Sequence, residues 1–240
     1  MERKELLRKL PNYINENAKY NNRYVAFIDI LGFKELILKT DFRNITSVFD
    51  KITHEIFCFD STLALSIGIP KYSQINTYIM SDSVVLSIDV DAPQALIALV
   101  KATAYIQTAL IKRNPSILSR GGISIGEYYQ ERDKAFGSAL VKAHQLESCK
   151  DKGKGAIFPR VIFDNDICLE QIKESIILDD YDGLYFVDYL KVALKGSSFQ
   201  SFIKEDISKK QLCVSDNKIK EKYDWYEKYY KLSMDKIKKM

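Results

Sequence analysis

Arg23-Tyr-Val-Ala-Phe-Ile-Asp-Ile-Leu-Gly-Phe-Lys-Glu-Leu36 decides how this chain is read. Residues 24–28 form an unbroken apolar run rich in β-branched and aromatic side chains, the composition of a strand buried on both faces. The run ends in a carboxylate, Asp29. Gly32 then permits a tight turn, and from Phe33 the apolar spacing (Leu36, Ile37) becomes helical. A charge closing a buried strand is costly unless something pairs with it, and a divalent cation would.

Residues 78–90, Tyr-Ile-Met-Ser-Asp-Ser-Val-Val-Leu-Ser-Ile-Asp-Val, belong with it. Two apolar segments flank Ser81-Asp82-Ser83, the pattern of a hairpin with a polar tip. Beside the first strand, such a hairpin brings Asp82 to Asp29. Two carboxylates on neighbouring strand ends suit hard cations such as Mg²⁺ or Mn²⁺. Each Asp alone reads as an N-cap or turn residue before it reads as catalytic, and it is the pair that moves the balance toward function.

The 240 residues are 46% hydrophobic, enough for a substantial core. With 36 basic and 32 acidic residues, the net charge of +4 gives no field strong enough to imply nucleic acid or an anionic membrane. No apolar run approaches the roughly 20 residues of a membrane span, and the first residues lack a signal-peptide core. Cys58, Cys149, Cys168 and Cys213 are scattered, and the two histidines are His54 and His144. That argues against structural zinc and for a reducing cytoplasm.

Working outward, residues 2–10 read as a helix stopped by Pro11, and 15–22 as a linker. Helices are expected over 33–38 and 45–59, a loop over 66–73 and the hairpin over 72–87. A helix over 95–111 follows, with Asp91 as N-cap and Pro93 in its first turn. Residues 120–129 read as a strand whose glycines call for close approach of a backbone or a ligand. A helix over 136–148, a basic glycine-rich loop over 150–155, an extended segment over 156–163 and a short strand within 180–189 complete the body. The tail, 216–240, is an amphipathic helix whose aromatic side packs on the body or on a partner. The expected division is 1–22, a catalytic body at 23–200 and a C-terminal helical extension at 201–240.

This order, with Phe27-Ile-Asp-Ile-Leu-Gly-Phe33, Ser81-Asp-Ser83 and the strand Gly121–Gly126, resembles the catalytic domain of class III nucleotide cyclases. The resemblance implies an α+β, ferredoxin-like or palm-type fold with a mostly antiparallel sheet. It is nearer still to the bacterial pyrimidine cyclases of the Pycsar antiphage systems. The further matching features are Arg120-Gly-Gly122, Gly137-Ser-Ala-Leu140 with Leu146-Glu147, Phe158-Pro-Arg-Val161, Asp182-Gly183 with Asp188-Tyr-Leu190, and Lys222-Tyr-Asp-Trp225. The motifs are short, and their joint order over about residues 23–230 carries the assignment.

The resemblance implies conversion of UTP or CTP to the 3′,5′-cyclic monophosphate and pyrophosphate. Two Mn²⁺ or Mg²⁺ ions would be held by Asp29, Asp82 and the Ile30 carbonyl. Backbone N–H groups of Leu31, Gly32 and Phe33 would hold phosphate oxygens. Arg120 is the candidate for charge at the α-phosphate; Arg160 and the Lys152/Lys154 loop are alternatives for the triphosphate. A head-to-tail homodimer is implied, with Arg120 acting on the partner's substrate, as is a separate cyclic-nucleotide-sensing effector. The purine-cyclase Asn and Arg positions fall on Val141 and Gln145, and its base-reading Lys on Tyr78. This argues against ATP or GTP. A purine cyclase with an unusual pocket and a non-catalytic nucleotide-binding relative remain the competing readings.

Overall fold

The apolar run is observed as the central strand β1 (Asn21–Ile30), two residues longer at its start than the sequence suggests. The computed structural model describes residues 19–67, 75–131, 134–148, 155–170, 172, 176–194, 197–213 and 216–238. The helix read at 2–10, most of the loop at 66–73, and residues 150–154 with Lys152 and Lys154 lie outside them. After β1 come α1 (Phe33–Lys39), α2 (Phe42–Ile67), β2 (Asn76–Met80), β3 (Ser83–Asp89), α3 (Ala95–Ile111) and β4 (Ser119–Glu131). Then follow β5 (Lys134–Phe136), α4 (Ser138–Ser148), β6 (Val161–Phe163), β7 (Ile177–Asp179), β8 (Tyr185–Val187), α5 (Tyr189–Ala193), α6 (Ser197–Cys213) and α7 (Asn217–Lys238).

The eight-stranded sheet runs β2-β3-β1-β4-β6-β8-β7, with β5 paired to β4. Its first four strands, antiparallel and in the order 2-3-1-4, are the ferredoxin-like split βαβ arrangement. β6 joins β4 in parallel, and β8 and β7 close that side antiparallel. The α+β expectation is met.

β1 is buried on both faces, as its composition requires. Ala26 and Ile28 join Val84, Leu86, Ile88 and Ile123 in the main core, where Val48, Ile52 and Ile56 of α2 and the apolar α3 cover them. Val25 and Phe27 point the other way and meet Val85, Tyr128 and, on α4, Ala139 and Ala143. Alternation along β1 therefore puts Asp29 on the α4 side.

The glycines of β4 answer to a close approach of backbone. A Cβ at Gly121 would lie 2.0 Å from the Phe27 carbonyl oxygen, and one at Gly122 would lie 2.5 Å from Leu146 Cβ and 2.6 Å from the Ala143 carbonyl oxygen. Gly121→Ala is expected to push β4 off β1, losing at least the roughly 1–3 kcal/mol of an overpacked core. Urea denaturation measures this, and an unchanged midpoint would show that the two strands can separate at little cost.

Several boundaries differ from the reading. α3 begins at Ala95 behind Gln94, not behind Asp91. Asp91 instead donates its N–H to the Asp89 carboxylate at 3.0 Å, which holds the chain in a turn before the helix starts. Phe136 closes β5 and does not open α4. Only Val161–Phe163 of the segment 156–163 is strand, and β7 has no counterpart in the reading.

The C-terminal helix packs as expected, aromatic side inward: Trp225, Tyr226, Tyr229 and Tyr230 are buried. The Trp225 indole N–H donates to Asp180 at 2.7 Å, and the Tyr229 hydroxyl donates to Asp188 at 2.7 Å while accepting from Leu190 N–H. Among the described residues no helix is long and apolar enough to cross a membrane.

Candidate active site

Register assembles the site. Asp29, the last-but-one residue of β1, lies opposite Ser83 of β3 on one side and Arg120 of β4 on the other. Asp82 occupies the β2–β3 turn, whose carbonyl accepts from Ile30 N–H at 2.8 Å. Ser81 makes that turn possible by adopting a positive φ of 55°. The two carboxylates read as a pair thus sit at the same end of adjacent strands, close enough for each charge to bear on the other.

Arg120 is drawn into this group within its own chain. Its Nε is 3.5 Å from Asp29 Oδ2, and its NH2 is 2.5 Å from Glu147 Oε1. Glu147 is almost fully buried on α4, on the sheet-facing stripe with Ala139 and Ala143. One guanidinium serves two carboxylates, and it serves them incompletely. Among the described residues the buried Arg120 Nε has no well-formed hydrogen bond. Burial, and then the charge of Glu147, push the Asp29 carboxyl up to about 6 against the pull of Arg120, and Asp82 adds to the push. Here negative charge outruns its compensation.

Asp29, Asp82 and the Ile30 carbonyl offer only hard oxygen donors, the set that suits Mg²⁺ or Mn²⁺ and leaves positions for water or phosphate. The under-compensated charge at Asp29 fits such a cation. Among the described residues no group of three or more His, Cys, Asp or Glu side chains forms a ready-made metal cage.

The turn after Asp29 leads into α1 through Gly32, whose φ of 75° is left-handed backbone that glycine adopts without steric cost. The proposed phosphate cradle needs one correction. Leu31 N–H already donates to the Leu118 carbonyl at 2.9 Å, which removes it as a phosphate donor. Gly32 and Phe33 come before the first intrahelical donor, Leu36 N–H to Gly32 O at 3.0 Å. The Phe33 side chain is buried against Phe49 and takes no part in the site surface.

Tyr78 pairs with Val85, which pairs with Phe27, so it lies on the face that carries Asp29. It is partly buried against the Val25–Phe27–Val85 cluster.

Arg160 is corrected outright. Its side chain is 1% exposed and bound to Asp180 and Asp182, with its NH1 3.0 Å from Asp182 Oδ1. Its Cζ lies 5.4 Å from the Phe158 ring centre and 6.0 Å from that of Trp225. It is a buried structural cation: NH1 and NH2 are spent on the two carboxylates, and Nε is buried out of a triphosphate's reach.

Two residues near Asp29 were missed as site residues. Glu147 had a legible signal, since a carboxylate continuing the four-apart stripe Ala139-Ala143 must face the sheet and needs a cation there. Lys222, on α7, carries its charge within electrostatic reach of Asp29, Glu147 and Arg120. Nothing in local sequence brings residue 222 to residue 29. Lys222 also lines a cleft of about 540 Å³ together with Leu31, Gly32, Ser116 and Leu118.

The chain matches no protein-family model, and no curated protein matches it. Three solved structures are similar in fold. The adenylyl cyclase CyaB from P. aeruginosa is 17% identical, with 71% of this chain and 95% of that chain covered, at a TM-score of 0.48. A bacterial light-regulated adenylyl cyclase is 16% identical, with 78% and 99% covered, at 0.46. An adenylate/guanylate cyclase/hydrolase from Silicibacter pomeroyi is 17% identical, with 71% and 96% covered, at 0.43. Likeness at this level assigns neither family nor activity.

Proposed function

We propose that this protein is a class III-type nucleotide cyclase acting on a pyrimidine nucleoside triphosphate, UTP before CTP. The observation that carries the proposal is the meeting of Asp29 and Asp82 at adjacent strand ends, beside a glycine turn into a helix, with charge that Arg120 does not fully balance. The motifs around both aspartates, and their order along the chain, support it.

In the proposed reaction the ribose 3′-hydroxyl attacks the α-phosphorus in line and pyrophosphate leaves. Asp29, Asp82 and the Ile30 carbonyl would hold Mg²⁺ or Mn²⁺, which would neutralise the triphosphate and lower the pKa of the attacking hydroxyl. Gly32 and Phe33 N–H groups offer donors to phosphate oxygens. Arg120 supplies positive charge near the α-phosphate, and Glu147 holds its guanidinium beside the end of β1. Arg120 lies against Asp29 of its own chain, which supports a role at its own chain's site over the partner's. A head-to-tail homodimer remains part of the proposal. So does a cytoplasmic role in which a separate cyclic-nucleotide-sensing effector reads the product during antiphage defence; both rest on the resemblance.

Incubation with each of the four NTPs and Mn²⁺, with products identified by mass spectrometry, tests the reading. Cyclic UMP or cyclic CMP is expected. Cyclic AMP or GMP alone would replace it with a purine cyclase, and no cyclic product from any NTP would end the enzymatic reading.

The base has its own prediction. A tyrosine on the Asp29 face of β2 is placed to stack on a pyrimidine or bond its edge. Tyr78→Ala is expected to weaken the preferred triphosphate and narrow the UTP/CTP ratio of kcat/KM. A lower melting temperature with an unchanged ratio would make Tyr78 a packing residue only.

A further inference from the structure

Three lysines line the cleft beside the Asp29 turn, and their circumstances differ. Lys39 Nζ sits 2.8 Å from Glu35 on the exposed side of α1. Lys210 Nζ, on α6, donates to the Ser116 carbonyl at 2.5 Å and faces Asp206 at 3.5 Å, so it straps α6 to the loop before β4. Lys222 is partly buried, yet among the described residues no carboxylate lies within ion-pair distance of it. Its electrostatic neighbours are Arg120, Asp29, Asp216 and Glu147, all at longer range.

A partly desolvated ammonium with no close counter-charge is costly to hold. The Lys222 backbone is nevertheless held firmly, because Trp225 and Tyr226, about one turn further along α7, are buried in the body. The cleft it lines includes Leu31 and Gly32, two and three residues after Asp29, together with Glu35 and the apolar Leu36, Ile117 and Leu118, and about 540 Å³ is room for a chain of phosphates. An anion there would meet the Lys222 ammonium.

We propose that Lys222 binds the β- or γ-phosphate of the substrate, so that the C-terminal helix forms one wall of the triphosphate site. This rests on the cyclase reading for the identity of the ligand, and on the cleft alone for its chemistry, a polyphosphate anion. The lysine is a point charge on a flexible stem, suited to a phosphate whose position shifts as pyrophosphate departs.

The test uses the full chain and inorganic tripolyphosphate with Mg²⁺, by isothermal titration, alongside steady-state kinetics with the preferred NTP. Lys222→Met is expected to weaken tripolyphosphate about tenfold and raise KM by a similar factor, the loss of one charge-assisted hydrogen bond. Lys222→Arg should recover most of both. Should Lys222→Met fold poorly, Lys222→Gln is read in the same way. Wild-type protein that binds no tripolyphosphate overturns the proposal. So does a folded Lys222→Met that matches wild type in both affinity and KM while cyclisation continues, and in that case the cyclase reading survives. Lys222-dependent tripolyphosphate binding by a protein that cyclises no NTP has the opposite meaning: the phosphate site stands and the cyclase reading falls.

Discussion

Asp29→Asn and Asp82→Asn are each expected to cut cyclic-nucleotide formation by roughly a thousandfold or more, since charge neutralisation and activation of the attacking hydroxyl are lost together. Asp29→Asn should do so while making the metal-free protein more stable. Its carboxyl titrates near 6 in the fold because burial and Glu147 disfavour the charge. A carboxyl raised above its unfolded value gives its full contribution when protonated, below the unfolded value, and loses it as pH rises through about 6. At pH 7 the charged Asp29 therefore costs stability, by roughly 1–3 kcal/mol. Asparagine removes that cost, and Arg120 keeps its 2.5 Å contact with Glu147. Denaturation of wild type and variant in EDTA, between pH 4 and 8, should show a gap that opens as pH rises from about 4 to about 6 and stays level above that. Wild-type turnover by either variant would remove the aspartates from the chemistry. A variant less stable than wild type at pH 7 would show that Arg120 already compensates Asp29.

The largest stability effect is expected at Arg160. Arg160→Met keeps the volume but leaves Asp180 and Asp182 facing each other without their cation. Breaking a buried ion pair from one side costs about 3–5 kcal/mol. Trp225 also donates to Asp180, so the loss reaches the anchor of α7. The triple variant Arg160→Met with Asp180→Asn and Asp182→Asn should regain much of the loss, because no charge is then left buried unpaired. Chemical denaturation of the two variants separates the cases. A single substitution costing under about 1 kcal/mol would mean that water reaches the cluster and screens it.

The local features of the sequence were legible, and those set by distant contacts were not. The β1 run, the hairpin at Ser81-Asp82-Ser83 and the helix over 95–111 follow from periodicity and turn chemistry, which act within a few residues. Asp29 and Asp82 were legible for the same reason, as carboxylates interrupting apolar strands. Arg160, an alternative for the triphosphate, misled because its charge is already spent on carboxylates distant in sequence. Its partners lie 20 and 22 residues away in the acidic turn Asp179-Asp-Tyr-Asp182, and nothing in the local sequence says that residue 160 is the cation of that turn. Lys222 was unreadable as a site residue because only the docking of α7 brings it to the Asp29 turn. The late start of α3 depended on one side chain, Asp89, capturing a backbone N–H two residues on.

The docking of α7 also sets a clock. Asp29 leaves the ribosome early, and its neighbours Ser83, Asp82 and Arg120 follow within the first half of the chain. Lys222 and the Trp225–Asp180 latch come nearly two hundred residues after Asp29. Domains form as their residues emerge. The carboxylate end of the sheet can therefore assemble on a nascent chain well before the cleft acquires its last wall. Under the proposed cyclase function, turnover would wait until α7 has seated.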